Sequence, residues 1–291
     1  MTTPQAKSAP ILVTGATGKL GRILVPRLLD AGRRVRALTR RPHFAADLFD
    51  GRVEIAEGDF ALPDSLGTAL TGIKRVLLLS PISETLAHDQ IALIDAAKAA
   101  GVERIVKISG SDWTIGTSLS GDAHQQVEAY LAASGLEHVS IRPNAWLQVG
   151  LAQVVEQIRQ KQLLYARHGA AKVGYVDVRD IADVAVSQLV AEIVAPGPLV
   201  ITGPDALSTS DIAALASSIV GSTVETTTTA PVATKPHGDG FEARVVLQFF
   251  EVIGRGGAAG LTDTVERVLG RPPRSVAAYL REQLTKAPAE A

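Results

Sequence analysis

Three glycines in the segment VTGATGKLG have the spacing of a phosphate-binding turn. They stand at positions 15, 18 and 21, directly after the apolar run ILVT of residues 11–14 and at the start of an amphipathic stretch. In such a turn the first glycine allows a tight exit from a strand, the second lets the backbone approach a pyrophosphate, and the third lets a helix pack closely on the sheet. The N–H groups at the helix start then face the phosphates with a partial positive charge. The segment therefore predicts a dinucleotide-binding site.

The end of the second predicted strand indicates which dinucleotide binds. Residues 38–41 read LTRR and contain no acidic residue. A site for NAD has an Asp or Glu here to hold the ribose 2′-hydroxyl, whereas a guanidinium pairs with the 2′-phosphate of NADP. We predict that NADP(H) is preferred over NAD(H), with Arg40 at the 2′-phosphate and Arg41, Lys19 or Arg22 assisting it. The alternative is that these cationic side chains only face solvent.

The elements that must position these residues alternate regularly in the first half of the chain. Predicted strands lie at 11–14, 34–39, 53–56, 75–79, 104–108 and 138–142, and predicted helices at 19–31, 64–71, 84–100 and 122–134. This alternation predicts an α/β fold with a doubly wound parallel (Rossmann) sheet and helices on both faces. Ligands of such sheets bind at the carboxyl ends of the strands.

The pattern changes after residue 143. We predict a dinucleotide-binding Rossmann domain over residues 1–143 and, over 144–291, mainly a smaller C-terminal α/β substrate region with some strands returning to the main sheet. A helix is predicted at 145–160 and a strand at 173–176. The Thr-, Pro- and Gly-rich stretch 222–241 has no periodicity and predicts a loop, either a plain connector or a lid over the substrate.

Composition excludes several functional classes. Hydrophobic residues make up 46% of the 291 residues, which is enough for a large core, and the net charge of −1 does not favour nucleic acid or a membrane surface as a partner. The absence of cysteine excludes disulfides and thiolate catalysis. No apolar run reaches the roughly 18 residues of a membrane span, and the N-terminal segment lacks an apolar signal core. We therefore expect a cytoplasmic protein with a small-molecule substrate, no metal, and an oligomeric state (monomer or homodimer) that the sequence leaves open.

Several longer segments resemble the NmrA-like branch of the atypical short-chain dehydrogenase/reductase family. They are ILVTGATGKLGR, EGDF, LLLSP, AAKAAGVERIVKISG, VEAYLAASGLEHVSIRPN, YVDVRDIADVA, LVITGPDALS and GRPPRSVAAYL. The resemblance implies an NAD(P)-binding Rossmann domain with a small C-terminal substrate domain. It implies cofactor contacts from Thr14, Gly15, Thr17, Gly18, Lys19, Leu20, Arg40, Asp59, Phe60, Leu79, Ser80, Pro81, Ser109, Pro143, Asn144 and Ala145. Members of the family include quinone and dye reductases and also non-catalytic redox-sensing regulators.

The acid–base residues that related enzymes use are missing. No Tyr-x-x-x-Lys pair occurs in the chain, and the two positions where the resemblance would put it are Ser120 and His124. The lysine of related ether reductases would fall near Gln126. His124 is the best candidate for a catalytic residue because its ordinary pKa of about 6.5 suits proton transfer. Alternatively, it only hydrogen-bonds the cofactor ribose. Ser111 and Asp112 are second candidates.

Four aromatic residues are candidates for the substrate pocket. Trp113, Trp146, Phe249 and Phe250 are worth placing because aromatic residues make up only 4% of the chain. They could form a flat apolar pocket for an aromatic substrate, or they could be ordinary core. An acid is not required for every substrate, because a reduced quinone, iminium or dye can take its proton from water, and the protein then supplies binding and orientation.

Three functions are compatible with these residues. We favour an NADPH-dependent oxidoreductase that transfers hydride to a small or medium aromatic or unsaturated compound, such as a quinone, enone, imine or dye. The alternatives are a non-catalytic NADP(H)-sensing regulator and a redox-neutral isomerase or cyclase. The missing Tyr and Lys favour the regulator, whereas the absence of an evident recruitment segment argues against it.

Overall fold

Nine strands and twelve α-helices form in the computed structural model, which describes residues 9–229 and 240–285. The strands are β1 (Ile11–Val13), β2 (Val35–Thr39), β3 (Glu54–Glu57), β4 (Arg75–Leu78), β5 (Arg104–Ile108), β6 (Glu137–Pro143), β7 (Leu164–Tyr165), β8 (Leu199–Ile201) and β9 (Thr226–Thr227). Almost every residue of β1, β2, β4 and β5 is buried. Such continuous burial is typical of parallel strands that are covered on both faces.

The helices fill the connections between the strands. They are α1 (Gly21–Asp30), α2 (Pro42–Leu48), α3 (Pro63–Leu70), α4 (Leu86–Ala99), α5 (Leu119–Ala133), α6 (Leu147–Gly150), α7 (Ala152–Arg159), α8 (Val178–Val190), α9 (Thr209–Val220), α10 (Phe241–Gly254), α11 (Thr264–Leu269) and α12 (Val276–Thr285). A 3₁₀ turn covers Asp112–Thr114. Helix α9 begins with a capping box between Ser208 and Asp211, which satisfies donors that a helix start would otherwise leave open.

The main sheet has the strand order β3-β2-β1-β4-β5-β6-β8. Each neighbouring pair from β3 to β6 is parallel. The order reverses direction at β1 and β4, and this switch point is where doubly wound sheets bind their ligands. The predicted α/β Rossmann fold is thus confirmed. A second sheet pairs β7 with β9 in parallel.

Two compact units can be distinguished within the chain. The first unit comprises residues up to 109, 123–141 and 182–199, and the second unit comprises 110–122, 142–181 and the described residues from 200 onward. The first unit contains an apolar core between the sheet and helices α3, α4 and α5. The second unit contains a core in which α7, α9 and α12 pack together. The domain boundary predicted at residue 143 stays a prediction.

Four local predictions differ from the structure. Helix α2 was not expected, and it begins at Pro42, whose fixed φ suits a first helical position. The helix expected at 145–160 is two helices that meet at Leu151. Residues 173–176 form only isolated bridges rather than a strand. In the predicted loop 222–241, β9 forms at Thr226–Thr227, and residues 230–239 lie outside the described residues.

A buried ionic network holds the start of α8 within the second unit. Asp177 and Asp180 have no exposed surface. The carboxylate of Asp180 accepts hydrogen bonds from the Arg274 backbone N–H (2.7 Å) and from the guanidinium groups of Arg271 (2.8 Å) and Arg274. Burial raises the pKa of Asp177, but hydrogen bonds and charge from Arg179 outweigh it, so the pKa of Asp177 lies below its ordinary value. These hydrogen bonds and ion pairs give both aspartates a structural role.

Candidate functional site

The glycine turn is tied to the neighbouring strand through Thr14. This side chain is fully buried, and its Oγ1 donates to the Leu79 carbonyl and accepts from the Leu79 N–H, each at 2.7 Å. Gly15 follows with φ +64°, a left-handed conformation that side chains rarely adopt. A Cβ on Gly15 would also press on the Leu79 side chain at 3.3 Å. Two of the predicted cofactor residues, Thr14 and Leu79, are therefore hydrogen-bonded to each other at the switch point of the sheet.

The third glycine allows α1 to start immediately beside the turn. A Cβ on Gly21 would lie 2.2 Å from the Ala16 carbonyl oxygen, a distance that no side chain can occupy. The first residue of α1 is Gly21, and no side chain caps this helix start. The positive end of the helix is therefore open to a phosphate group. Gly18 and Lys19 are exposed on the turn, whereas Leu20 is buried.

Basic side chains gather beside the turn on an exposed aromatic ring. The guanidinium carbon of Arg41 lies 4.6 Å from the Phe44 ring centroid, and that of Arg22 lies 5.4 Å from it. Arg22 also donates through Nε to the Thr17 carbonyl at 2.9 Å. Arg40 is 73% exposed and lies 3.8 Å from an Asp59 carboxylate oxygen. The structure thus holds Arg22 and Arg41 in place more firmly than Arg40.

The ends of β3 and β4 carry the next set of predicted cofactor residues. Asp59 Oδ1 accepts the Ala61 N–H at 3.1 Å, and Phe60 packs against the core of the first unit. Ser80 Oγ accepts a hydrogen bond from Gln90 Nε2 at 2.8 Å, while Pro81 is exposed. Gln90 is fully buried on α4, and nothing in its sequence pattern pointed to the site.

Among the described residues, two buried side-chain atoms have no hydrogen-bond partner, Gln90 Oε1 and Ser109 Oγ. Ser109 directly follows β5, at the carboxyl edge of the sheet. An orphaned buried hydroxyl costs free energy unless a ligand or water satisfies it. Together with the open helix end and the glycine turn, these atoms fit a bound dinucleotide.

His124 is buried and paired with a lysine that sequence reasoning missed. His124 lies on α5 and is 6% exposed, and its Nδ1 is 2.9 Å from Lys107 Nζ. Lys107 is the fourth of the five residues of β5 and has no exposed surface. Burial, followed by the charge of Lys107, lowers the pKa of His124 to about 2. The ordinary histidine pKa that we expected is therefore wrong for this site, and the ring is neutral at physiological pH.

Asn144 makes several hydrogen bonds within the second unit. Its Oδ1 accepts the Trp113 Nε1–H and the Ala145 N–H, each at 2.7 Å, and its Nδ2 donates to the Ala258 carbonyl at 3.1 Å. The neighbouring Pro143 carbonyl accepts a hydrogen bond from Ser111 Oγ at 2.7 Å. These bonds bring Pro143, Asn144 and Ala145 together with Trp113.

A cavity of about 260 Å³ lies beside Trp113 and Asn144. Its other lining residues are Asp112, Val200, Thr202, Gly257, Gly260, Leu261 and Thr262. Asp112, a second candidate for acid–base chemistry, is exposed and forms an ion pair of 2.6 Å with Arg142. The cavity therefore combines one aromatic wall with amide, hydroxyl and carboxylate groups.

The four predicted pocket aromatics occupy three separate places. Trp113 packs edge-on against Phe249 with 5.5 Å between ring centroids. Phe250 instead contacts His168, with 5.4 Å between the ring centroids, and stacks under Arg167 at 4.6 Å. Trp146 precedes α6, where it forms a bridge with Val176. Only Trp113 of the four lines the cavity described above.

A protein-family model described as NAD(P)H-binding matches residues 15–192, which is more than half of the chain. The chain belongs to this NAD(P)H-binding family. The resemblance to the NmrA-like, atypical short-chain dehydrogenase/reductase type is confirmed. The matched span begins at the first glycine of the turn and includes strands β2 to β6 of the parallel sheet.

Similar proteins agree with this assignment. An NAD(P)H azoreductase from Xenophilus azovorans is 32% identical over 282 residues, which cover 93% of this chain and 96% of the azoreductase. An NADPH-dependent quinone oxidoreductase from Escherichia coli, solved with NADPH, has a TM-score of 0.83 at 23% identity and covers 94% of this chain and 99% of its own. A triphenylmethane reductase from Citrobacter sp., solved with NADP(H), has a TM-score of 0.81 at 21% identity, with 94% and 99% coverage. These two solved structures have the same fold as this chain. The family match and the similarity to the azoreductase show that the chain is an NAD(P)H-dependent oxidoreductase.

Two further observations concern expected partners. None of the helices in the described parts of the chain combines the length and apolar character that a membrane crossing needs. Within residues 9–229 and 240–285, no three His, Asp or Glu side chains are grouped so that they could hold a metal ion. The cytoplasmic location stays a prediction.

Proposed function

We propose that this chain is an NADPH-preferring reductase that transfers hydride to an aromatic or otherwise unsaturated acceptor, such as an azo compound, quinone, enone, imine or dye. The observation that carries the proposal is the similarity to an NAD(P)H azoreductase, which extends over 93% of the chain and so includes the C-terminal part as well as the nucleotide turn. We further propose that residues 1–143 bind the cofactor and that residues 144–291 mainly form the acceptor region.

The proposed preference for NADPH is supported by the charges around the turn. The second strand ends in Thr39, and the next two residues are Arg40 and Arg41. The residues that follow this strand, Arg40, Arg41 and Pro42, include no acidic residue that could hold a ribose 2′-hydroxyl, and Arg22 and Arg41 already share the Phe44 ring. A guanidinium matches a phosphate with paired N–H donors. We assign the 2′-phosphate to Arg40, with Arg22 and Arg41 held ready on Phe44.

NADPH would supply the hydride when it is bound. The turn at Gly15, Gly18 and Gly21 would hold the pyrophosphate, and the orphaned Ser109 Oγ would bond a polar group of the cofactor or acceptor. Asn144 uses its own amide to fix Trp113, so its role is to orient the aromatic wall of the acceptor region. The reduced acceptor takes one proton after hydride transfer, either from His124 or from water.

The test is NADPH consumption by the purified chain against a panel of azo dyes, quinones, enones and imines, with NADH run in parallel. We expect at least one acceptor to be reduced, with a higher kcat/KM for NADPH than for NADH. Tight NADPH binding by calorimetry without turnover of any acceptor would contradict the proposal and favour the non-catalytic regulator. Conversion of a substrate without net cofactor consumption would favour an isomerase or cyclase.

A further inference from the structure

A lysine within a buried parallel strand requires an explanation. Lys107 stands on β5 between Leu78 of β4 and Ser140 of β6, and its side chain has no exposed surface. Burying an ammonium group is costly unless hydrogen bonds compensate for the lost water. The contacts of Lys107 therefore indicate what the charged group does.

The Lys107 amino group points at one nitrogen of His124. Nζ lies 2.9 Å from Nδ1 of His124 and 3.4 Å from the Ile108 carbonyl oxygen. An ammonium group has only donors, so both neighbours act as acceptors. A neutral imidazole that accepts at Nδ1 carries its hydrogen on Nε2.

We propose that Lys107 is a positioning residue that fixes His124 as the Nε2–H tautomer and makes it the proton donor of the reaction. No Tyr-x-x-x-Lys pair occurs in the chain, and the family resemblance puts its two positions at Ser120 and His124. Lys107 supplies an amino group from β5 instead of from α5. The residue acts through His124 and does not itself need to reach the substrate.

This inference rests on the proposed reductase function for its chemical step. Hydride adds to one atom of the unsaturated acceptor, and the electron pair left on the adjoining atom takes the proton from His124 Nε2. Nδ1 of His124 then takes a proton from the Lys107 ammonium, which leaves a neutral Nδ1–H imidazole and a neutral amine. Protons from water restore the starting state. The imidazole is neutral before and after the step, as its burial requires.

The decisive experiment uses the unmodified protein. Long-range ¹H–¹⁵N correlation spectra at neutral pH report the tautomer of each histidine, and the His124 signals are assigned by their loss in His124→Gln. We expect an unprotonated Nδ1 and a protonated Nε2. A protonated Nδ1, whether in the other tautomer or in the imidazolium form, would overturn the inference. Because no variant of Lys107 is needed, this result does not depend on whether such a variant folds.

A variant pair then tests the link to turnover. Lys107→Met keeps the length of the side chain but removes the donor, and Lys98→Met changes an exposed lysine on α4 as a control. We expect Lys107→Met to lose the single tautomer and to lower kcat at least about tenfold with NADPH affinity unchanged, whereas Lys98→Met changes neither. A folded Lys107→Met protein with the wild-type tautomer and kcat would refute the inference. Failure of the wild type to reduce any acceptor would instead refute the proposed function and leave the tautomer result standing.

Discussion

Replacing Phe44 by leucine tests how the chain distinguishes NADPH from NADH. The ring is 37% exposed, so it contributes little to the core, but it contacts the guanidinium groups of Arg41 at 4.6 Å and Arg22 at 5.4 Å. Each cation–π contact at an exposed site is worth about 0.5–1 kcal/mol. Without both contacts, Arg22 and Arg41 must be ordered by the 2′-phosphate of NADPH when it binds. This costs about 1–2 kcal/mol, or about 5–30-fold in NADPH affinity.

Calorimetric titration with both cofactors measures the effect. NADH lacks the 2′-phosphate, so its affinity should stay within about twofold in Phe44→Leu, and Phe44→Tyr should keep the wild-type ratio because it keeps the ring. Arg40→Ala should lower NADPH affinity by about 1.5–3 kcal/mol, since it removes a charge-assisted contact directly. Tyr130→Leu removes an aromatic ring of similar exposure (38%) outside the site and serves as the control.

The outcome separates a specificity role from a structural one. If Phe44→Leu weakened NADPH and NADH equally, the ring would support the turn rather than the arginines. If it weakened neither while Arg40→Ala abolished the preference, Arg40 alone would recognise the phosphate. Equal affinity of the unmodified protein for both cofactors would refute the whole account of cofactor preference.

Four other predictions concern the turn and the ionic network. Gly18→Val should abolish NADP(H) binding in titrations while circular dichroism shows an intact fold, because Gly18 is exposed and only the Gly15 carbonyl lies near its Cβ, at 3.2 Å. Gly21→Ala should lower both Tm and cofactor affinity, since its Cβ would lie 2.2 Å from a backbone oxygen, whereas Gly67→Ala on α3 meets nothing within 4 Å and should keep or raise Tm. Asp180→Asn should reduce the free energy of unfolding in urea by about 2–4 kcal/mol, because it removes a buried anion from two arginines that are partly exposed; no change would show that the network is not stabilising. The pKa of Asp177 is below its ordinary value of 3.8, so the ionised carboxylate stabilises the fold above about pH 4, and this stabilisation is lost as the pH falls further. The difference in the free energy of unfolding between wild type and Asp177→Asn should therefore shrink in acid.

The sheet could be predicted because its signals are local. Strands β1, β2, β4 and β5 are short, mostly apolar runs, and the glycines at 15, 18 and 21 follow the first run at the spacing of a phosphate-binding turn. The two-residue strands β7 and β9 have no comparable pattern, because a strand of that length is defined by its partner and not by its own periodicity. Helix α2 was missed for a similar reason, because its seven residues, PHFAADL, are too few to show a clear helical periodicity.

The parts of the site that sequence missed depend on distant contacts. Lys107 stands in the apolar run RIVKI, where a strand read in isolation suggests a side chain that reaches solvent. Its partner His124 is 17 residues away on α5. The grouping of Arg22 and Arg41 also depends on a contact between separate elements, because Arg22 on α1 and Arg41 both contact the ring of Phe44 on α2. Residue types were sufficient to nominate His124 and the arginines, but not to identify the groups that hold them.

The absence of a Tyr-x-x-x-Lys pair favours a non-catalytic regulator less strongly because Lys107 and His124 form a buried pair in its place. A protein that only binds the dinucleotide needs the glycine turn and the basic cluster, and neither requires a charged group inside the sheet. Burial of Lys107 is unfavourable for stability, and perturbed titratable groups of this kind concentrate at sites that perform chemistry. Lys107→Met removes the donor that bonds the buried Nδ1 of His124 and the Ile108 carbonyl, so it should lower the free energy of unfolding whether the chain is an enzyme or a regulator. The measurement that separates the two is kcat with the best acceptor of the panel at saturating NADPH. It should fall at least about tenfold in Lys107→Met and stay unchanged in Lys98→Met if the chain is an enzyme that uses His124.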